Sequence, residues 1–271
     1  MGTMRKGEPK PALRSTDIAF FDVTHAGDTH RVQIRRIASA RRFTLRVRAA
    51  TRDALLTMPP RGSLVRAKVF VERHAAWIGA RLARLPVPTP FGSGATLPLR
   101  GVLHEIVHRP GARGTVWIEA GAAGGPPLLC VTGEAPFVAR RVQDYLIKEA
   151  RADLVEAVAR HSAKLGVKAR RITLRDTTSR WGSCSSSGAL NFSWRLVMAP
   201  PHVLDYLAAH EVAHLVHMNH SDAFWRVTAR LIPDYARAEA WLKGNGVGLM
   251  RFGAAPAAPA EAALEADGEI A

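Results

Sequence analysis

His210 and His214 stand four residues apart, with Glu211 beside the first, in the run His210-Glu211-Val212-Ala213-His214. On a helix four residues turn through about 400°, so both imidazoles leave one face and can grip one ion. Zinc suits them, because imidazole nitrogen is a borderline ligand and zinc accepts a tetrahedral site. Glu211 lies about 100° round the helix from His210. From there its carboxylate reaches water held by the ion, whose pKa the metal brings toward about 7. The chemistry expected is hydrolysis, with zinc as cofactor and Glu211 as general base.

A catalytic zinc site needs three protein ligands and keeps one position for water. His220, ten residues after His210, is the expected third. The chain must then leave the helix after His214 and fold back, for which Asn219 tolerates a left-handed backbone. Glu239, Asp222 and His217 are rival ligands. Arg180 is a candidate for stabilising an oxyanion or anchoring a substrate carboxylate or phosphate. Trp181 is expected to pack and Gly182 to make a turn. Tyr206, one turn before His210 on the same face, either hydrogen-bonds near the site or packs. Phe224 and Trp225 follow helical spacing and read as core. Cys184 has no cysteine nearby, so it and Cys130 read as reduced thiols.

The elements that must position these groups follow from periodicity. Short apolar segments from Ile18 to Met58 predict strands of an antiparallel sheet. Leu64 to Leu85 carries apolar residues on one helical face and is closed by Pro86 and Pro88. More strands follow in 99–109, 114–120 and 127–133. Phe137 to Leu165 is a long helical pattern stopped by Gly166. Two further strands, 170–176 and 189–198, flank the loop with Arg180 to Cys184. Pro200 and Pro201 then open the helix of the two histidines, since proline is tolerated in a first turn. Helices starting near Ser221 and spanning Asp234 to Lys243, stopped by Gly244, complete the chain. The fold class expected is α+β, with a β-rich N-terminal half. The predicted organisation is a disordered 1–15, a β-rich region 16–135, a metal-binding catalytic domain 136–250 and a flexible acidic tail 251–271.

The sequence has 271 residues, enough for a proper core. No run approaches about 18 apolar residues, so no membrane span is expected, and the N-terminus lacks the apolar stretch of a secretory leader. The expected location is the cytoplasm. Lys and Arg outnumber Asp and Glu by 38 to 23, and Arg31 to Arg52 holds eight arginines before any acid. Such a field attracts polyanions, nucleic acid or nucleotides among them, although an arginine-rich composition also produces a merely solvated face.

Taken together, Arg180-Trp181-Gly182-Ser183-Cys184, Leu190-Asn191-Phe192-Ser193-Trp194-Arg195-Leu196, Ala199-Pro200, Asp205-Tyr206, the His210–His214 run, Asn219-His220-Ser221 and Phe224-Trp225 resemble the YgjP-like family of predicted zinc metallopeptidases, relatives of the SprT-like and WLM-type domains. The resemblance is densest from about residue 140 to 245. It implies a zincin-like fold, zinc held by His210, His214 and His220, and Glu211 as catalytic base. The three-histidine spacing also occurs in metzincins, but His217 stands where their turn glycine would be and no Met-turn is evident. Glu239 would be the third ligand on the gluzincin pattern. By the same resemblance, Leu190 to Val197 would be the edge strand that pairs with a peptide substrate.

Three functions compete on these grounds. The first is a metallopeptidase acting on a peptide or protein. The second is a zinc hydrolase of another bond, such as a nucleotide phosphoanhydride. The third is a nucleic-acid-associated protein-processing module that holds its polyanion through Arg31–Arg52.

Overall fold

The computed structural model describes residues 20–49, 51–177 and 180–253. The fold is mixed α and β, with strands dominating the N-terminal half and helices the C-terminal part. The chain forms two compact units. One holds the described residues up to Arg48 together with Asp53–Ala83, and the other holds those of Ala49–Arg52 together with the chain from Arg84 onward.

The first unit contains β1 (Phe20–His25), β2 (Asp28–Arg36), β3 (Thr44–Arg48), β4 (Asp53–Met58), α1 (Leu64–Arg73) and α2 (Ala75–Ala83). Ala26 and Gly27, both at positive φ, make the tight turn of the β1–β2 hairpin. The sheet order is β1-β2-β4-β3, and β2 runs parallel to β4. The expectation of a purely antiparallel sheet is corrected here, because β3 takes the edge and leaves β4 beside β2. Val32, Ile34, Ala54, Leu56 and Met58 alternate inward and pack with Ala67, Val71, Ala75 and Ile78 of the helices. The single helix expected from Leu64 to Leu85 is two. His74 turns its Nδ1 to the carbonyl of Phe70 at 2.7 Å and leaves helical geometry, with ψ at 8°.

The second unit contains β5 (Thr96–Leu99), β6 (Val102–His108), β7 (Val116–Glu119), β8 (Leu128–Val131), α3 (Val138–Leu165), β9 (Arg171–Arg175), β10 (Gly182–Cys184), β11 (Ala189–Ser193), α4 (Pro201–Ala213), α5 (Asp222–Leu231) and α6 (Tyr235–Leu249). Its sheets have the orders β5-β6-β8-β7 and β10-β11-β9. The 28 residues of α3 contain no glycine or proline, and Gly166 ends the helix at φ 65°. Val142, Leu146, Leu154 and Val158 of α3 join Leu97, Ile106 and Leu129 from the first sheet and Leu190, Val203 and Val212 in one core. Burying each such side chain contributes about 1.5–3 kcal/mol. This shared core moves the boundary to near residue 84 instead of 135. The strands from Thr96 to Val131 look like the earlier ones in sequence, but their apolar faces enter the C-terminal core.

Two further corrections concern the C-terminus. The last helix does not stop at Gly244 but runs to Leu249, and Phe252 is built into the unit. Thr89 donates to the carbonyl of Arg251 and accepts from Gly253, each at 2.9 Å. Residues 251–253 therefore belong to the unit and not to the tail expected from residue 251. Residues 254–271, like 1–15, lie outside the described residues. No described helix is long and apolar enough to cross a membrane.

Candidate metal centre

α4 runs through the middle of its unit. Val203, Leu204, Leu207, Ala208, Ala209, Val212 and Ala213 are all buried, so the helix is apolar on nearly every side, as a central helix must be. Pro201 occupies its first position, and its missing N–H costs nothing there. The helix ends at His214. Leu215 and Val216 close tighter turns onto Val212 and Ala213, and the chain folds back toward α5. This return does not use a left-handed Asn219. The positive-φ residues described other than glycine are Ala26, Arg52 and Arg100.

The fold-back brings His220 onto the two helical histidines. Nε2 of His220 lies 3.1 Å from Nε2 of His210. One ring nitrogen from each of His210, His214 and His220 falls within 4.8 Å of the others. Nδ1–H of His214 donates to the carbonyl of His217 at 3.0 Å, which leaves its Nε2 as the lone pair facing the cluster. Burial pushes the His210 imidazole down to about 4, with the His214 and His220 charges adding to the effect. Burial also lowers His214, although the His217 carbonyl works the other way and His220 adds a smaller lowering. Both rings are thus held neutral, the form that ligates a metal. Three converging imidazoles fit a divalent ion such as zinc.

Glu211 is buried against this cluster. Burial raises its carboxyl to about 8, and the Arg180 charge opposes the rise. Its Oε2 is buried without a hydrogen-bond partner. The other side of the carboxylate faces Gly182 on β10, where an added Cβ would lie 2.9 Å from Cγ and Cδ of Glu211. Gly182 is therefore a strand residue that makes room for Glu211, not the turn expected from sequence. Gly246 of α6 has the same kind of role: a Cβ there would press on the Trp181 ring at 3.1–3.3 Å. Close packing explains Gly246, whereas Gly244, the stop expected from sequence, lies inside α6 with open space around it. Trp181 packs against the core as expected, half-buried.

The hydroxyl of Tyr206 lies 3.5 Å from Nδ1 of His210, and burial followed by the Glu239 charge pushes its pKa up to about 12. Tyr206 stacks on Tyr235 and Tyr235 on Trp225, with ring centroids 6.4 and 5.3 Å apart. Trp225 in turn lies 5.8 Å from the His220 ring. Phe224 is fully buried and stacks on His214 at 4.4 Å. Sequence spacing found Tyr206 but missed Tyr235, which follows Pro233 in a different helix and carries no local signal.

Of the rival ligands, Glu239 pairs with Lys243 at 3.0 Å. Asp222 is exposed at the start of α5, and His217 contributes its carbonyl. None joins the nitrogen cluster. Arg180 is exposed and lines a hollow of about 230 Å³ with Arg175, Trp181, Gly182, Ser183 and Asn191. The expected edge strand Leu190–Val197 is corrected. β11 lies between β9 and β10, and Trp194–Met198 forms a 3₁₀ turn. The strand beside Glu211 with an open side is β10. Cys130 and Cys184 are free thiols, both raised by burial.

No protein of curated function matches this sequence. A solved structure, that of the metallopeptidase zymogen of Pyrococcus abyssi abylysin, aligns at 18% identity over 34% of this chain and 93% of its own, with a TM-score of 0.32. So low a score carries no argument here. The sequence itself matches the YgjP-like metallopeptidase domain over residues 41–245, across both units and the whole histidine cluster. By that match the chain belongs to the YgjP-like family of metallopeptidases.

Proposed function

We propose that the protein is a zinc metallopeptidase in which His210, His214 and His220 hold the ion and Glu211 is the catalytic base. The observation that carries this reading is the convergence of three imidazole nitrogens beside a buried carboxylate whose Oε2 has no partner. Zinc, when bound, supplies a Lewis acid that acidifies water and polarises a carbonyl. Glu211 then takes the proton that water gives up on attacking the peptide carbonyl, and returns it to the leaving amine. Gly182 keeps the carboxylate in place, because a side chain there would displace it. The Nδ1–H bonds of His214 to the His217 carbonyl and of His210 toward Tyr206 orient the two rings.

The outer edge of β10 offers backbone groups to an extended peptide, since β11 pairs with its other side alone. Arg180, whose charge already acts on Glu211, is placed to anchor a carboxylate of the substrate or to stabilise developing negative charge.

Peptide hydrolysis by wild type and by Glu211→Gln tests the reading. Removing the base should lower turnover by about 10²–10⁴ while zinc content stays unchanged. Hydrolysis of nucleoside triphosphates but not of peptides, lost in the same variant, would move the substrate class to phosphoanhydrides. Undiminished peptidase activity in the variant would overturn the role of Glu211.

A further inference from the structure

The eight arginines from Arg31 to Arg52 sort into two groups. Arg31 pairs with Asp22, and Arg48 with Asp53. Arg36 donates to the carbonyls of Pro60 and Gly62 at 2.6 and 2.9 Å, and Arg52 to those of Pro86 and Leu85 at 2.6 and 3.2 Å. Arg35, Arg41, Arg42 and Arg46 meet no carboxylate among the described residues.

Strand alternation decides where this second group goes. Because Val32, Ile34, Ala54, Leu56 and Met58 turn inward, Arg35, Thr57, Thr44 and Arg46 share the outward face of the sheet. Register sets Arg35 beside Thr57 and Thr57 beside Thr44, with Arg46 one pair further along. The turn after β2 is held by the bonds of Ile37 to Met58 and Ala40 to Ile37, and it folds over the same place. The result is a hollow of about 380 Å³ lined by Ser39, Arg41, Arg42, Thr44, Arg46 and Thr57 among others. A second hollow of about 340 Å³ shares Arg42 and Thr44 with it and is otherwise walled mainly by Phe43, Phe70, His74 and Trp77. The rings of Phe43 and Phe70 lie 5.6 Å apart, and those of Phe70 and His74 lie 4.3 Å apart. Trp77 is 45% exposed. No acid among the described residues lines either hollow.

We propose that the β3 edge of the N-terminal unit, where the two hollows adjoin, binds single-stranded nucleic acid, with phosphates in the arginine and hydroxyl hollow and a base against the aromatic one. Guanidinium forks and hydroxyls are the donors that phosphate oxygens accept. An aromatic wall next to them suits a base whose flat face is free, which a single strand offers and a duplex does not. The wider field agrees in sign: between Phe20 and Ala83 there are thirteen Lys and Arg against four Asp and Glu. The site needs neither metal nor turnover, so it stands or falls apart from the peptidase reading.

The test is fluorescence anisotropy of a labelled mixed-sequence single strand and of its duplex, titrated with the full chain at rising salt. The single strand should bind more tightly than the duplex. Replacing Arg41, Arg42 and Arg46 together by alanine should reduce the slope of log K against log salt by about 2. Trp77→Ala should weaken binding about tenfold with the slope unchanged. A charge-matched variant, Arg31, Arg61 and Arg66 to alanine, should bind nearly as wild type. Circular dichroism confirms folding, and the single variant Arg46→Glu serves if the triple variant unfolds. Equal loss in the charge-matched variant would show a diffuse field and overturn the site. Duplex binding as tight as single-strand binding, or no binding by wild type at low salt, would overturn it as well.

Discussion

Two sets of arginines do different work in the two units. In the C-terminal unit Arg195, Arg100 and Arg160 are internal struts. Arg195 is almost fully buried, grips Asp176 through both oxygens at 2.7 and 3.0 Å, and caps the carbonyls of Leu249 and Phe252. Arg100 ties the β5–β6 turn to Glu149 and Asp153 of α3. Arg160 meets Asp205 on α4 at 2.6 Å. These contacts tie α3 and the end of α6 to the unit whose central helix, α4, carries His210 and His214. In the N-terminal unit Arg35, Arg41, Arg42 and Arg46 meet no acid among the described residues. A net charge of +15 is therefore uninformative until its arginines are divided into struts and free cations.

The rigid side of that contrast can be broken at Gly182. Gly182→Ala should lower peptidase turnover about a hundredfold by displacing Glu211, since misplacement by about 1 Å has that cost. Zinc content should not change, and steady-state kinetics beside metal analysis checks both. Asp176→Ala should cost about 2 kcal/mol of stability by leaving the Arg195 guanidinium without its charge-assisted bonds. Arg46→Ala, on the outward face, should stay within about 0.5 kcal/mol. Urea unfolding of the two variants side by side measures the difference directly.

The smallest effect concerns acid. Burial alone would raise Asp205, but the hydrogen bonds from His161 and Arg160 outweigh it and hold the carboxyl below its ordinary value of 3.8. A depressed folded pKa contributes stability above the unfolded value and loses it as pH falls through the folded one. Wild type should therefore lose stability more steeply than Asp205→Asn below about pH 4, by under about 1 kcal/mol. Thermal melting across that range checks the sign, and parallel curves would remove the ion pair from the account.

Much of this was legible in the sequence because it is local. Helical spacing placed His210, Glu211 and His214, apolar periodicity up to Gly166 set the length of α3, and Pro200 and Pro201 marked the start of α4. His220 was reachable because only five residues separate it from His214. What escaped depends on distant partners. Gly182 read as a turn and Gly246 drew no reading, yet each is small because a side chain from another element presses on it. The strands from Thr96 to Val131 carry the same alternation as β1–β4, and nothing local says which core receives them. Likewise β2 and β4 pair in parallel because β3 takes the edge, a choice invisible to periodicity.

The central claim is that three histidines hold one catalytic ion. Elemental mass spectrometry of untagged wild type and His220→Ala tests it most directly. The account predicts about one zinc per wild-type chain, largely lost from the variant. Full retention of zinc in His220→Ala, or a wild type that takes up none after reloading, would contradict it.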